Sequence, residues 1–195
     1  QVAGQEMVDR MWATYTKSDS LNWYTADEKQ RRRFRLMRPP FWTLPAASTI
    51  DRATAMLPRL MRERLPEMGL DFSVVYPTAA MAFFNFQAEE LRRAACRAQN
   101  LMVADIFRGC EDRLAPAAAI PCHSPGEAIE ELDFAITELG LKVPMFGNLV
   151  RRPLEPATDL DPSLETYAFW VDTRALDSLY DYDPVWQKCV DLRVP

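Results

Sequence analysis

The sequence predicts an α/β protein that forms part of a (β/α)8, or TIM, barrel, roughly strands 2 to 4 with their helices. Two observations predict the parallel sheet. From residue 51 onward short strand-like runs alternate with amphipathic helical stretches, and each strand leads through a helix to another strand. A third observation favours a barrel: Tyr76-Pro77-Thr78 ends the first strand without the glycine-rich loop of a dinucleotide-binding fold. A flavodoxin-like sheet, with a phosphate or flavin at Thr78, is the alternative.

The prediction divides the chain into an irregular N-terminal segment, residues 1–50, and a partial barrel domain, residues 51–195. In the first part aromatic residues are scattered among polar and proline positions. Five arginines also surround Phe34 there, namely Arg31, Arg32, Arg33, Arg35 and Arg38. We interpret them as a solvated face, because the 28 acidic residues of the protein outnumber its 23 basic ones.

The first predicted helix covers residues 51–68, where apolar residues recur at three- and four-residue steps. Pro58 should kink this helix and Gly69 should end it. Residues 72–76 then predict a buried strand that stops at Pro77, and a long apolar loop follows.

A second amphipathic stretch, residues 91–102, predicts a helix with Arg92, Arg93 and Arg97 on its solvent side. Residues 117–120 predict the next strand, which is entered past Pro116.

The strongest local signal is Ser124-Pro125-Gly126-Glu127, where serine can cap a helix, proline suits its first position and glutamate can reach back to the cap. Gly140 should end this helix. Residues 141–146 predict the third strand, although Pro144 removes a ladder donor and puts local pairing in doubt.

Residues 147–182 carry several prolines and acids without a clear period, and we interpret them as an insertion or long loop. Asp183-Pro184 repeats the cap-plus-proline signal and predicts a short closing helix. Arg193 occupies a turn where glycine is usual.

Composition argues against several classes of function. A net charge of −5 offers no electrostatic footprint for nucleic acid or an anionic membrane. No apolar run is long enough to span a bilayer and no secretion signal is visible, so we expect a cytoplasmic protein without nucleic-acid or membrane partners. The four cysteines are widely spaced, without a CxxC pair, and predict reduced thiols.

In a barrel the reacting groups lie at the carboxyl ends of the strands. Four residues at those positions are the candidates for a substrate pocket: Tyr76, Thr78, His123 and Asn148. His123 is the only histidine of the protein. It could contact a substrate, or it could be a neutral histidine bonded to a loop carbonyl, and both interpretations are open.

Two tempting sites are set aside. Cys122 beside His123 is not interpreted as a nucleophile, because neighbours on extended backbone point to opposite sides. The acidic series Asp172, Asp177, Asp181 and Asp183 is interpreted as loop solvation plus one helix cap at Asp183, and not as a cation site.

Four segments, taken together, resemble the amidohydrolase-related family that includes aminocarboxymuconate semialdehyde decarboxylase and resorcylate-type decarboxylases. They are residues 51–58 (DRATAMLP), 68–77 (MGLDFSVVYP), 89–98 (EELRRAACRA) and 120–132 (IPCHSPGEAIEEL). Residues 180–186 (YDYDPVW) fit the family's segment before the fifth strand. The resemblance lies in the order and spacing of these pieces.

The resemblance implies a metal-dependent barrel in which zinc or manganese activates water for hydrolysis or holds a substrate for non-oxidative decarboxylation. The family's ligands come from a histidine motif at the first strand, a histidine at the fifth and an aspartate at the eighth. These positions would fall before Gln1 and beyond Pro195, so we expect no metal ligand in this chain and no metal bound by it alone.

We therefore expect part of a metal-dependent hydrolase or carboxy-lyase that acts on a small carboxylated or ring-derived molecule. The alternative from another class is a catalytically incompetent fragment or assembly subunit that binds a partner through an open barrel edge. Whether the protein forms a homo-oligomer is left open.

Overall fold

The computed structural model describes residues 4–16, 23, 25–36, 48–78, 80–147 and 149–195. The chain forms two compact units, residues 1–72 and residues 73–195. The predicted division at residue 50 stays a prediction. Within the described ranges, no helix is both long and apolar enough to cross a membrane.

The first unit is helical where it is described. Its elements are α1 (Gly4–Thr16), α2 (Glu28–Phe34), α3 (Thr49–Met56), α4 (Pro58–Arg64) and a 3-10 turn at Leu65–Met68. In the arginine-rich segment, Asp27 caps α2 and Arg31 stacks 3.9 Å from the ring centroid of Trp23. Arg38 lies outside the described residues.

The prediction of one kinked helix over residues 51–68 is wrong, because Pro58 begins a new helix. Leu57 is extended, with φ −116 and ψ 104, and serves as the C-cap of α3 and the N-cap of α4. A residue before proline is pushed out of the helical region, so the chain breaks at this point. The prediction for Gly69 is confirmed: it ends the 3-10 turn in the left-handed region, at φ 72.

The second unit contains a parallel sheet with the strand order β1-β2-β3. Its elements are β1 (Ser73–Val75), α5 (Ala80–Phe83), α6 (Glu89–Ile106), β2 (Leu114–Ile120), α7 (Pro125–Asp133), a π-helical turn at Phe134–Glu138, and β3 (Val143–Phe146). The three predicted strands and the parallel crossovers are thus present. The sheet is open over the described residues, and a closed barrel stays a prediction.

Two strand predictions need correction. The first strand is not buried: Val74 is 40% exposed, because β1 pairs only with β2 in the described part of the chain and lies at an edge. Pro144 does not disrupt the third strand, since β3 pairs with β2 across it, with Pro144 opposite Ala118. Among the described strands β3 is also an edge, where a missing donor is tolerated.

Helix α6 differs from its prediction at Arg92, which was expected on the solvent side and is buried. Arg93 and Arg97 are partly exposed, but Arg92 is only 3% exposed and forms an ion pair with Glu127. A lone arginine would not be stable in that position, but a paired and hydrogen-bonded one is. The predicted apolar loop before α6 also contains a short helix, α5.

Asn100 of α6 completes the central strand on the side where β1 has ended. The last β1–β2 pair is Val75 with Pro116, three residues before Ala119. The Asn100 side chain donates to the Ala119 carbonyl (2.9 Å) and accepts from the Ala119 N–H (2.7 Å). It therefore satisfies two buried backbone groups that a neighbouring strand would otherwise bond.

The interpretation of residues 147–182 as a loop is wrong. This segment contains β4 (Val150–Pro153) and β5 (Phe169–Asp172), which pair antiparallel, with α8 (Glu155–Thr158) and a 3-10 turn (Pro162–Thr166) between them. Val150 and Arg152 are buried while Arg151 and Pro153 are exposed, which is the two-residue period of a strand.

The closing helix, α9 (Asp183–Leu192), is confirmed, but Asp183 does not cap it. Asp183 is its first helical residue and Tyr182 is the N-cap. The Asp181 carboxylate instead accepts the Asp183 N–H at 2.9 Å, as in an Asx turn.

Candidate functional site

The carboxyl ends of β1, β2 and β3 lie along one edge of the parallel sheet, and the predicted pocket residues belong to the segments that leave it. Tyr76 and Thr78 follow the edge strand β1 and are exposed, Tyr76 by 61%. His123 follows the central strand and its side chain is only 12% exposed. Asn148 lies outside the described residues. No hydrogen bond joins Tyr76 or Thr78 to His123 in the described structure, and their role in a pocket stays a prediction.

His123 is held in place by its backbone, while its ring has little hydrogen bonding. Its backbone N–H donates to Oε1 of Glu127. Its Nδ1 is 3.9 Å from the same oxygen, which is too far for a hydrogen bond. Its Nε2 is buried and has no hydrogen-bond partner among the described residues. Burial, followed by the positive charges of Arg92, Arg152 and Arg174, lowers the pKa of His123 to about 3.

The consequence is a neutral imidazole over the whole physiological range. Such a ring can donate a hydrogen bond through one nitrogen and accept one through the other. It is a poor proton shuttle near pH 7, because its pKa is far from the working pH. The low pKa and an Nε2 that no described residue bonds therefore suit His123 for hydrogen bonding and not for general acid–base chemistry.

The capping box predicted at Ser124 is present and explains where His123 sits. Ser124 Oγ accepts the Glu127 N–H (3.4 Å), and Glu127 Oε1 accepts the Ser124 N–H (3.1 Å). Proline at the first helical position completes the signal. Helix α7 thus begins directly after His123, and the turn that precedes the helix fixes the histidine backbone.

A buried polar network includes the backbone carbonyl of Cys122, the residue before His123. Tyr182 donates its hydroxyl to that carbonyl (2.9 Å), and Arg152 Nη2 donates to the Tyr182 hydroxyl (3.0 Å). Arg152 Nε also bonds Asp172 Oδ2 at 3.0 Å. The network joins the β4–β5 hairpin to the end of β2, one residue from His123.

The titratable groups of this network are shifted in ways that follow from their surroundings. Burial alone would raise the pKa of Asp172, but the Arg174 backbone N–H, Ser178 and Arg152 outweigh it and lower the pKa. Asp172 is fully buried, so its interpretation as loop solvation is wrong. Burial raises the pKa of Tyr182 to about 12, although Arg152 opposes the shift.

Cys122 is poorly suited to nucleophilic chemistry. It is buried, and burial raises the pKa of its thiol to about 12. A thiol with such a pKa carries almost no thiolate at neutral pH. All four cysteines are buried and free.

The described residues do not fit a divalent metal ion. Within the described ranges, no three histidine, cysteine, aspartate or glutamate side chains come together as a metal-binding group. The buried carboxylates of this region, Glu127 and Asp172, are already paired with Arg92 and Arg152. No metal-dependent step is assigned to these residues.

Sequence reasoning missed the three arginines whose charges act on His123, namely Arg92, Arg152 and Arg174. Arg152 could have been found from the alternation of Val150 and Arg152, which marks one inward face. Arg92 and Glu127 are 35 residues apart, and no local pattern indicates that they form a buried pair.

Comparison with known proteins gives the family. A profile of the amidohydrolase family matches residues 22–195, which is most of the chain. No curated protein matches significantly. Among solved structures, the chain resembles a presumed amidohydrolase from Staphylococcus aureus at 19% identity and a TM-score of 0.44. The match covers 69% of this chain, which spans 37% of the length of that protein. On the strength of the profile match, the chain belongs to the amidohydrolase family.

Proposed function

We propose that the chain forms part of a metal-dependent amidohydrolase-type enzyme, either a hydrolase or a non-oxidative carboxy-lyase. The observation that carries this proposal is the family match over residues 22–195. The family generally depends on a divalent metal, and zinc or manganese would supply a Lewis acid or a bound water when present. We assign no ligand of that metal to the described residues.

The proposed substrate is a small carboxylated or ring-derived molecule. Support comes from the surroundings of His123, where the imidazole stays neutral and the positive charge of Arg174 acts on it. A neutral ring nitrogen can hydrogen-bond a substrate oxygen, and a guanidinium group favours an anion nearby. His123 is therefore proposed to orient the substrate.

A second candidate function is an assembly subunit that binds a partner through an open sheet edge. The observation that favours it is the exposure of Val74 on β1. Unpaired strand edges readily take up another strand.

The test uses the full-length gene product, loaded with zinc or manganese, and a panel of small aromatic carboxylic acids with their amides and esters. Release of carbon dioxide identifies a carboxy-lyase, and cleavage of amides or esters identifies a hydrolase. Absence of both activities from metal-loaded protein would argue for the assembly subunit.

The His123→Phe variant tests the role of the histidine in the same assay, because phenylalanine keeps a ring but has no hydrogen-bonding nitrogen. Loss of one neutral hydrogen bond should weaken substrate binding by about 1 kcal/mol, so KM should rise roughly fivefold with a smaller change in kcat. Gln87→Ala, an exposed change in a neighbouring loop, serves as the control. An unchanged KM in His123→Phe would contradict the assignment.

A further inference from the structure

Three ion pairs join helix α6 to helix α7, and they differ in burial. Arg93–Glu130 is solvent-accessible at both ends, and Arg97–Glu131 is accessible at the arginine. In Arg92–Glu127 the side chains are 4% and 0% exposed. Burying two charges is costly, so a pair in this position needs further hydrogen bonds to be stable.

Those further bonds all go to backbone groups of two loops. Glu127 Oε2 accepts from Arg92 Nε (3.2 Å) and Nη2 (2.9 Å), while its Oε1 accepts the backbone N–H groups of His123 and Ser124. Arg92 Nη1 donates to the carbonyls of Phe86 (2.7 Å) and Gln87 (3.1 Å).

The ion pair therefore connects the loop between β1 and α6 with the loop between β2 and α7. Both loops follow parallel strands on the same edge of the sheet. A capping box needs only the glutamate and the serine. The arginine and the additional bond to the His123 N–H go beyond what is needed to start a helix.

We propose that Arg92 and Glu127 are positioning residues that hold His123 buried, with its imidazole excluded from water, at the carboxyl end of β2. The claim that these two residues hold His123 in place rests on the hydrogen bonds described above. Its relevance to substrate orientation rests on the proposed function.

The test exploits the presence of a single histidine, whose imidazole gives one isolated NMR signal. The charged groups that bear on this ring are Arg92, Arg152 and Arg174, with Glu127 at 3.9 Å. In the native protein we expect the signal to stay constant between pH 5 and pH 8. In Arg92→Lys and Glu127→Gln the loop between β2 and α7, which contains His123, should open. The signal should then titrate in that range because the ring regains contact with water.

Arg93→Lys and Glu130→Gln are the matched controls, since they change the neighbouring exposed pair on the same two helices. Their histidine signal should remain constant. A constant signal in folded Arg92→Lys and Glu127→Gln would overturn the proposal, and so would a titrating signal in the controls.

The double variant Arg92→Met/Glu127→Leu covers the case in which the single variants do not fold. Replacing a buried ion pair by apolar residues of similar volume commonly preserves the fold. We expect a folded protein whose histidine signal titrates between pH 5 and pH 8, and a constant signal would overturn the proposal. This NMR test needs no substrate, so failure of the proposed function would appear in the turnover assay and leave the titration unaffected.

Discussion

At the scale of single residues, His123 shows what the sequence can and cannot specify. Its position after a strand and before a helix cap follows from residues 117–127 alone, and the structure agrees. Its protonation state does not, because it depends first on the burial of the ring and then on Arg92, Arg152 and Arg174, which are distant in sequence. Over the described residues, no carbonyl bonds either ring nitrogen, so a ring tied to a loop carbonyl is not what the structure shows.

The free energy of unfolding should depend on pH in part through the titration of His123. The folded-state pKa of His123, about 3, lies below the unfolded value of 6.5, so the unfolded state binds more protons between those limits. The histidine contribution is complete above pH 6.5 and is lost as the pH falls toward 3. Between these limits the histidine contribution to the free energy of unfolding should change with a slope that approaches about 1.4 kcal/mol per pH unit.

The measurement is urea unfolding from pH 4 to pH 7.5, comparing the native protein with His123→Gln. The difference in unfolding free energy between them should grow from pH 4 to about pH 6.5 and then level off. Parallel curves for the two proteins would show that His123 is not buried in its neutral form.

At the scale of elements, local signals predicted local structure well. The capping box at Ser124, the end of the 3-10 turn at Gly69 and the start of α9 near Pro184 each depend on a few neighbouring residues. The β4–β5 hairpin was missed because its strands are short and its buried face contains an arginine, which hides the apolar period. That arginine is tolerated only because Asp172, twenty residues away, neutralises it.

Helix ends offer a prediction at this scale. Arg193 ends α9 in the left-handed region at φ 56, where a side chain is strained and glycine is not. Arg193→Gly should raise the free energy of unfolding by up to about 1 kcal/mol, as measured by chemical denaturation, because relief of roughly 1–2 kcal/mol of left-handed strain outweighs the roughly 0.5–1 kcal/mol entropic cost of glycine.

Arg193→Ala is the control, because it removes the charge but keeps the Cβ atom, and it should give no such gain. Gly140, which follows α7 and its π-helical turn, has φ 70 and already carries the glycine that this conformation favours. Equal stability of Arg193→Gly and Arg193→Ala would refute the explanation by backbone strain.

At the scale of the whole molecule, the sequence indicated a parallel α/β arrangement correctly, because strand–helix alternation allows few topologies. The predicted division at residue 50 stays a prediction, and the two compact units of the structure, residues 1–72 and 73–195, depend on long-range packing. The parallel sheet is open over the described residues, and Val74 lies on its β1 edge, where it is partly exposed.

The open edge predicts concentration-dependent self-association. Val74→Lys should weaken it, because a charged residue on an edge strand opposes pairing with another strand. Sedimentation velocity at increasing protein concentration measures the effect. Leu176→Lys, which changes an exposed apolar residue away from the strands, should leave association unchanged. Equal behaviour of the two variants would place the association elsewhere on the surface.

The amide of Asn100 has a consequence for how the sheet responds to motion. Because the Ala119 N–H is bonded by a helix side chain and not by β1, its protection from hydrogen exchange depends on the docking of α6. Strand β1 ends at Val75 and does not reach Ala119, so separation of β1 from β2 would leave that amide bonded. Slow exchange at Ala119 would therefore report the attachment of a helix, although the residue lies in the middle of a sheet.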